Sequence, residues 1–230
     1  MHPSDILVPP TAQPAAPGGP PAELPERDWT VLLVGGHSGT GKSIAARELA
    51  RRYGVGVAQA DAFRLAITRV TTAAQHPALH RMSVDAHGLP PAEACATWIE
   101  VARTVSHALE PVVALHLATG APTVLEGDTL LPALAVARHL PFGPAGVGVR
   151  AVFLVDDDEA RLLETCRRRG RGFTALSEAE QRSEARRHWL YGRWVAEQAA
   201  ALGLPVMSPG AWDTLPARIA GAAARPRVGG

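Results

Sequence analysis

Apolar and polar positions along the chain fall into two alternating periods. Short continuous apolar runs at 29–34, 55–60, 123–125, 150–155 and 205–208 suit strands buried on both faces of a parallel sheet. Between them apolar residues recur every three or four positions, the spacing of helices with one buried face. The first such helix starts at Lys42 and carries Ile44, Ala45, Leu49 and Tyr53 toward the sheet, with arginines outward and Gly54 placed to cap its end. About sixty residues then separate Asp61 from the third apolar run, too many for a plain crossover, so they must form a helical insertion. Within it Pro90 and Pro91 open a helix whose Trp98, Val101, Val105 and Leu109 share a face; Pro111 kinks or restarts it and Gly120 ends it.

Further along, Glu159 to Arg169 has carboxylates in its first turn, arginines in its last and Gly170 beyond, which complements a helix dipole. Ser177-Glu-Ala-Glu180 is a capping box and opens a long helix reaching to about Leu202. A closing helix is expected over Asp213 to Ala224. Five strands alternating with helices predict an α/β fold, a five-stranded parallel sheet covered on both faces, with the helical insertion and an arginine-rich lid added to it. Ligands in such sheets bind beyond the carboxyl ends of the strands. Residues 1–26 are dense in Pro, Ala and Gly without periodicity and read as a disordered leader; the folded domain is expected over 27–224, with 225–230 a flexible tail.

The first strand runs directly into Gly36-His-Ser-Gly-Thr-Gly-Lys-Ser43, a G-x-x-x-x-G-K-S loop followed by a helix. This is the context of a P-loop. Its glycines let backbone N–H groups turn inward around phosphate oxygens, and the helix adds its N-terminal amides to the same anion site. Gly36, His37, Ser38, Gly39, Thr40, Gly41, Lys42 and Ser43 are therefore the expected nucleotide-binding residues, with Lys42 on the β- and γ-phosphates and Ser43 on Mg²⁺. A purely steric glycine turn between strand and helix is the alternative. Against it, Lys42 is the single lysine in the chain, placed where a compact ammonium suits phosphate better than a planar guanidinium.

Composition narrows the partners. The 230 residues fit one domain, or one with an appendage, and 23 basic against 22 acidic residues leave a net charge of +1, giving no bulk electrostatic reason to expect nucleic acid or an anionic membrane surface. No signal peptide or bilayer-spanning run is visible, so a cytoplasmic location and a small-molecule substrate are the defaults. Cys95 and Cys166 lack metal-ligand spacing and suit small buried side chains. Guanine readers usually carry Asn-Lys-x-Asp, and a chain with no asparagine and one lysine does not; ATP is the expected nucleotide, with the loop Ser208-Pro-Gly-Ala-Trp212 placed to contact adenine.

Phosphoryl transfer needs Mg²⁺, positive charge on the migrating group and a carboxylate for the acceptor hydroxyl. Asp61, just past the second strand, is the best candidate for that carboxylate, with Arg64 one helical turn away; the spacing also permits it as the N-cap of a helix over Ala62 to Arg69, and the two roles are compatible. Glu126 and Asp128, past the third strand, are candidates for orienting Mg²⁺ or its waters, or for satisfying loop amides. Arg167, Arg168, Arg169 and Arg171, interleaved with Gly170 and Gly172, form the lid, and Arg168 and Arg171 are taken as its catalytic pair, although arginines end helices for dipole reasons alone. His76 and His80, followed by Arg81 in the insertion, are the expected contacts for an anionic acceptor.

The set of residues resembles the small-molecule P-loop kinases, and most closely 2-phosphoglycerate kinase and its relatives. The likeness lies in Gly35-Gly36-His-Ser-Gly-Thr-Gly-Lys-Ser43, Asp61-x-x-Arg64, His76-Pro-x-Leu-His80 and Glu126-Gly127, and covers Trp29 to about Pro132. It implies a nucleoside-kinase-like fold, ATP, Mg²⁺ and transfer to a small, anionic acceptor. One departure bears on the acceptor: a Ser-Ser-Tyr-like run is expected after the Leu-His pair, and Arg81-Met82-Ser83 stands there. A P-loop ATPase working on a protein partner and an antibiotic- or metabolite-inactivating phosphotransferase are the other readings.

Overall fold

The computed structural model describes residues 23–84, 88–137, 148–170 and 172–224. Arg171, the first 22 residues of the leader and the tail 225–230 lie outside them. The sheet consists of β1 (Trp29–Gly36), β2 (Gly56–Gln59), β3 (Thr123–Glu126), β4 (Gly148–Leu154) and β5 (Val206–Met207). Their order across the sheet is β2-β3-β1-β4-β5, and every neighbouring pair is parallel. This is the expected α/β architecture, with the P-loop between β1 and the first helix, the insertion between β2 and β3, and the arginine-rich segment after β4.

Eight α-helices cover the sheet among the described residues: α1 (Lys42–Tyr53), α2 (Ala60–Val70), α3 (Pro77–Val84), α4 (Pro91–Ala108), α5 (Glu110–Thr119), α6 (Glu159–Arg169), α7 (Glu178–Ala201) and α8 (Leu215–Ala223). The expected helix ends are in place: Gly54 and Gly120 stop α1 and α5 in the left-handed conformation, while Asp158 starts α6 and Ser177 starts α7, the latter through the full capping box. The break expected near Pro111 falls at Leu109, which ends α4 and starts α5 with its side chain fully buried.

Side chains of β1 alternate between two cores. Val31 and Leu33 pack with α4, α5 and α7, whereas Leu32 and Val34 pack with α1 and α8, joined there by Trp29, which precedes a shift of register between positions 29 and 31. Ile44 departs from the expected pattern, being 57% exposed; α1 instead turns Ala45, Ala46, Leu49 and Ala50 to the sheet. Part of the expected leader joins the fold, since Leu24 packs against the second core and Tyr53 donates to the Pro25 carbonyl at 3.0 Å. No helix among the described residues is long and apolar enough to cross a membrane.

Register decides where the chemistry gathers. Val34 lies level with Glu126, and Gln59 with the same residue on its other side, so the carboxyl ends of β1, β3 and β2 finish together. Asp61 and Asp128 follow two residues beyond those ends, and the P-loop leaves β1 at the same edge.

Candidate active site

The P-loop is built from backbone that only glycine tolerates. Gly36 has φ 115°, and a Cβ there would stand 2.0 Å from the Leu154 carbonyl oxygen, so the loop turns tightly over the end of β4. Gly41 is the N-cap of α1 and supplies no side-chain cap, which leaves first-turn N–H groups of that helix facing the loop. Lys42, only 6% exposed, donates from Nζ to the His37 carbonyl at 2.6 Å, and Thr40 Oγ1 donates to the same oxygen at 3.0 Å. The ammonium is thus held over the loop.

His37 is the loop's internal brace. Its Nε2 accepts the Asp156 N–H at 2.8 Å, which places the proton on Nδ1 for the 2.7 Å bond to the Ser38 carbonyl. Complete burial and the nearby Lys42 charge push its pKa down to about 4, so the ring is neutral at physiological pH. Asp156 itself takes a two-point contact from Arg161, at 2.8 and 2.5 Å. Burial raises the Asp156 carboxyl, but this contact and the Asp158 N–H outweigh it and hold it below the usual range.

Three carboxylates gather beside Lys42. Glu126 is buried, which pushes its carboxyl up, while Lys42 and a hydrogen bond with Ser43 pull the other way. Asp128 is also raised by burial, yet Lys42, His188, a backbone N–H and Arg187 together bring it below the ordinary carboxylate range. Asp61 is raised by partial burial and by the charge of Asp128, and lowered by Arg64, whose Nε donates to it at 3.3 Å. Its side chain is 57% exposed at the cleft mouth, where water screens these effects. Asp61 is not a cap: α2 begins at Ala60 with Gln59 as N-cap, and no side-chain cap bond is made.

Oxygen donors at this edge suit a hard cation. Among the described residues no three His, Cys, Asp or Glu side chains are grouped to hold a metal. Mg²⁺ does not require such a cage, because it keeps several waters and binds through one or two protein oxygens plus phosphates. Ser43 and the acid hydrogen-bonded to it, Glu126, fit that mode.

The long helix α7 adds residues that the sequence reading passed over. Glu184, Arg187, His188 and Tyr191, at i, i+3, i+4 and i+7, share one buried face. Arg187 Nε donates to Glu184 Oε2 at 3.0 Å and its Nη2 to Oε1, while His188 Nε2 lies 3.2 Å from Oε1. Burial opposes the Glu184 charge, but hydrogen bonds from His188 and Arg187 hold its carboxyl well below the usual range. Tyr191 donates to the Asp128 carbonyl, fixing the loop after β3. The Trp98 indole of α4 has the Arg187 guanidinium 5.2 Å and the Arg64 guanidinium 5.8 Å from its ring centre. A polar run at helical spacing in line with Val195 and Ala199 is the sequence signal that marks this face.

Of the lid arginines, Arg169 reaches the P-loop, donating from Nη1 to Ser38 Oγ at 2.8 Å. Arg168 is 71% exposed and pairs at 3.7 Å with Glu164 on its own helix, and Arg167 bonds Gln181 on α7. In the insertion, His80 Nε2 meets Thr71 Oγ1 at 3.2 Å and Arg81 pairs with Glu93 at 2.7 Å, contacts that tie α3 to α2 and α4. The His76 carbonyl accepts the His80 N–H in the first turn of α3. The loop after β5 is braced by Arg218, which donates to the Ser208 and Pro209 carbonyls. Its Trp212 is 46% exposed, with its ring 3.0 Å from where a Cβ on Gly41 would lie, beside the start of α1.

No family model and no curated protein matches this chain. Among solved structures, a gluconokinase from Sinorhizobium meliloti 1021 is 17% identical and covers 86% of this chain and 92% of its own, with a TM-score of 0.48. A candidate kinase from Chloroflexus aurantiacus j-10-fl is 18% identical over 79% of this chain and 84% of its own, at 0.42. An uncharacterized protein from Eubacterium ventriosum ATCC 27560 is 11% identical over 82% and 94%, at 0.41. These likenesses are distant, and the functional reading rests on the site itself.

Proposed function

We propose that the chain is an ATP-dependent small-molecule kinase that moves the γ-phosphoryl group of ATP·Mg²⁺ to a hydroxyl of a small anionic metabolite, with 2-phosphoglycerate the first acceptor to test. The observation that carries this reading is the meeting of the Lys42 ammonium with Asp61, Glu126 and Asp128 at one sheet edge, each feeling the charge of Lys42. Cationic groups on one side and a half-open carboxylate on the other are what transfer to a hydroxyl requires.

In this reading loop amides and Lys42 hold the triphosphate, and Arg169 closes over it from α6. Ser43 and Glu126 would hold and orient Mg²⁺, which supplies charge neutralisation at the phosphate oxygens when bound. Asp61 takes the proton of the acceptor hydroxyl as its oxygen bonds to the γ-phosphorus and the bond to the ADP oxygen breaks. Partial burial helps, because a carboxyl raised above its ordinary value is a better base near neutral pH. Arg64 positions Asp61, and Trp212 offers an aromatic surface for the base beside α1.

The test is an anionic-metabolite panel incubated with ATP·Mg²⁺ and read by mass spectrometry, with Lys42→Ala as control. A phosphorylated product made by the native chain and not by the variant is expected. ATP should also raise the melting temperature more than GTP does. ATP hydrolysis with no transfer to any acceptor would favour a P-loop ATPase, and turnover by Lys42→Ala would remove the loop from the chemistry.

A further inference from the structure

Five buried side-chain atoms lack a hydrogen-bond partner among the described residues, and three of them belong to neighbours, Arg187 Nη1, His188 Nδ1 and Trp98 Nε1, with the Arg187 guanidinium 5.2 Å from the Trp98 ring centre. Arg187 is 5% exposed, His188 8% and Trp98 9%. A buried polar atom without a partner forfeits the hydrogen bonds it made to water, so two such donors, Arg187 Nη1 and Trp98 Nε1, with the acceptor His188 Nδ1 next to them, call for a partner that the described fold does not supply.

The surroundings define that partner. Glu184 occupies Nε and Nη2 of Arg187, which fixes the guanidinium plane and leaves Nη1 as the free prong. His188 Nε2 donates to Glu184 Oε1, 3.2 Å away, so in the neutral ring Nδ1 is the acceptor left to face a ligand hydroxyl. The Trp98 indole, flanked by Arg187 and Arg64, contributes an N–H donor between two cations. One carboxylate, Glu184, serves Arg187 and His188 jointly, and Arg64, the second arginine at the indole, is shared with Asp61.

We infer that Arg187 and Trp98 form the subsite that binds the anionic group of the acceptor, a carboxylate or a phosphoester, with His188 Nδ1 beside them to accept from a hydroxyl of the same molecule. Arg64 bridges this subsite to Asp61, so a short molecule anchored by its oxyanion presents a neighbouring hydroxyl to the carboxylate. The inference rests on the kinase reading for the word acceptor, but the subsite itself is a matter of binding. It also places acceptor recognition on α4 and α7 rather than on the His76 to Arg81 segment.

Calorimetric titration of the full chain, saturated with Mg²⁺ and a non-hydrolysable ATP analogue, tests it. The probes are 2-phosphoglycerate, glycerate, glycerol 2-phosphate and glycerol, which separate carboxylate from phosphoester and both from a neutral polyol. Binding of at least one anionic probe and none of glycerol is expected. Trp98→Phe and Arg187→Gln should each weaken that binding by roughly tenfold or more, the loss of one charge-assisted or buried hydrogen bond, with affinity for the ATP analogue unchanged. Should Arg187→Gln fail to fold, Trp98→Phe, which removes a single N–H, decides alone. Wild-type affinity in the folded variants, or no anionic probe bound by the native chain, overturns the subsite. Anion binding that needs Trp98 in a chain that transfers no phosphoryl group would leave the subsite standing and the kinase reading fallen.

Discussion

Gly192 of α7 lies against the imidazole of His37, so close that a methyl group at position 192 would stand 2.3 Å from His37 Cδ2. The long helix therefore touches the P-loop from beneath. Since His37 also receives the Asp156 N–H, one neutral side chain locks β1, the end of β4 and α7 together. Gly192→Ala must push the ring or the helix aside, an overpacking that costs typically 1–3 kcal/mol. A lowered melting temperature and a weaker ATP-induced shift are expected. A variant that melts like the native chain and binds ATP as tightly would show the contact to be slack.

His37 also makes stability depend on pH. An ordinary imidazole in the unfolded chain takes up a proton near pH 6.5, whereas the folded chain refuses one until about pH 4. Stability is therefore complete above pH 6.5 and falls as pH drops through that window, by about 3 kcal/mol in all. Buried His188 is lowered as well and adds loss of the same sign. His37→Gln keeps an acceptor near the Asp156 N–H but cannot titrate. Denaturant melts between pH 7 and pH 4 should show a shallower decline for His37→Gln than for the native chain, and equal slopes would mean that His37 protonates without consequence.

The lid offers a comparison between neighbours. Arg169 bonds Ser38 of the P-loop, whereas Arg168 pairs with Glu164 in the open. Arg169→Ala should lower turnover by about 10²-fold, as losing a transition-state cation does. Arg168→Ala breaks an exposed pair worth under about 1 kcal/mol and should cost far less. Steady-state rates of the two variants decide, and the opposite order would return the role to Arg168.

What the sequence made legible follows from the range of the interactions involved. Strand runs, helix caps and the P-loop are local patterns, and they lie within a few residues of where they were expected. The strand order was not readable, since nothing in the apolar runs says that β3 sits between β2 and β1; that order is what sets Glu126 beside Val34 and Gln59. Glu184, Arg187 and His188 looked like an ordinary charged helix because their partners, Trp98 and the loop after β3, are distant in the chain. The arginine closing on the P-loop was legible only as one of four. Asp61 fitted a cap by spacing, but its helix starts one residue earlier than it does, at Ala60.

Truncations separate the leader's two parts. Deleting residues 1–22, a Pro- and Ala-rich segment with too little periodic apolar content to join a core, is expected to leave the melting temperature unchanged. Extending the deletion through Glu26 removes Leu24 from the second core and the Pro25 carbonyl from Tyr53. That loss should cost on the order of 1–3 kcal/mol, one half-buried leucine and one hydrogen bond. Equal stability for both truncations would show that the contacts around Tyr53 contribute nothing.

Asp61→Asn isolates the chemical role of the carboxylate. With Gln59 at the N-cap, no cap bond is lost, and the Arg64 guanidinium stands at the long distance of 3.3 Å. The carboxyl is raised by partial burial and by Asp128, so its charged form is disfavoured in the folded chain and removing the charge costs no stability from that source. The melting temperature of Asp61→Asn should therefore match or slightly exceed that of the native chain near neutral pH. An amide cannot take the proton of an acceptor hydroxyl, so turnover should fall by about 10²-fold or more, while ATP affinity, set by the P-loop, is retained. Single-turnover rates with ATP held at saturation read this directly. If Asp61→Asn turns over like the native enzyme, proton transfer passes to Asp128, whose carboxyl is held below the ordinary range, against burial, by Lys42, His188 and Arg187.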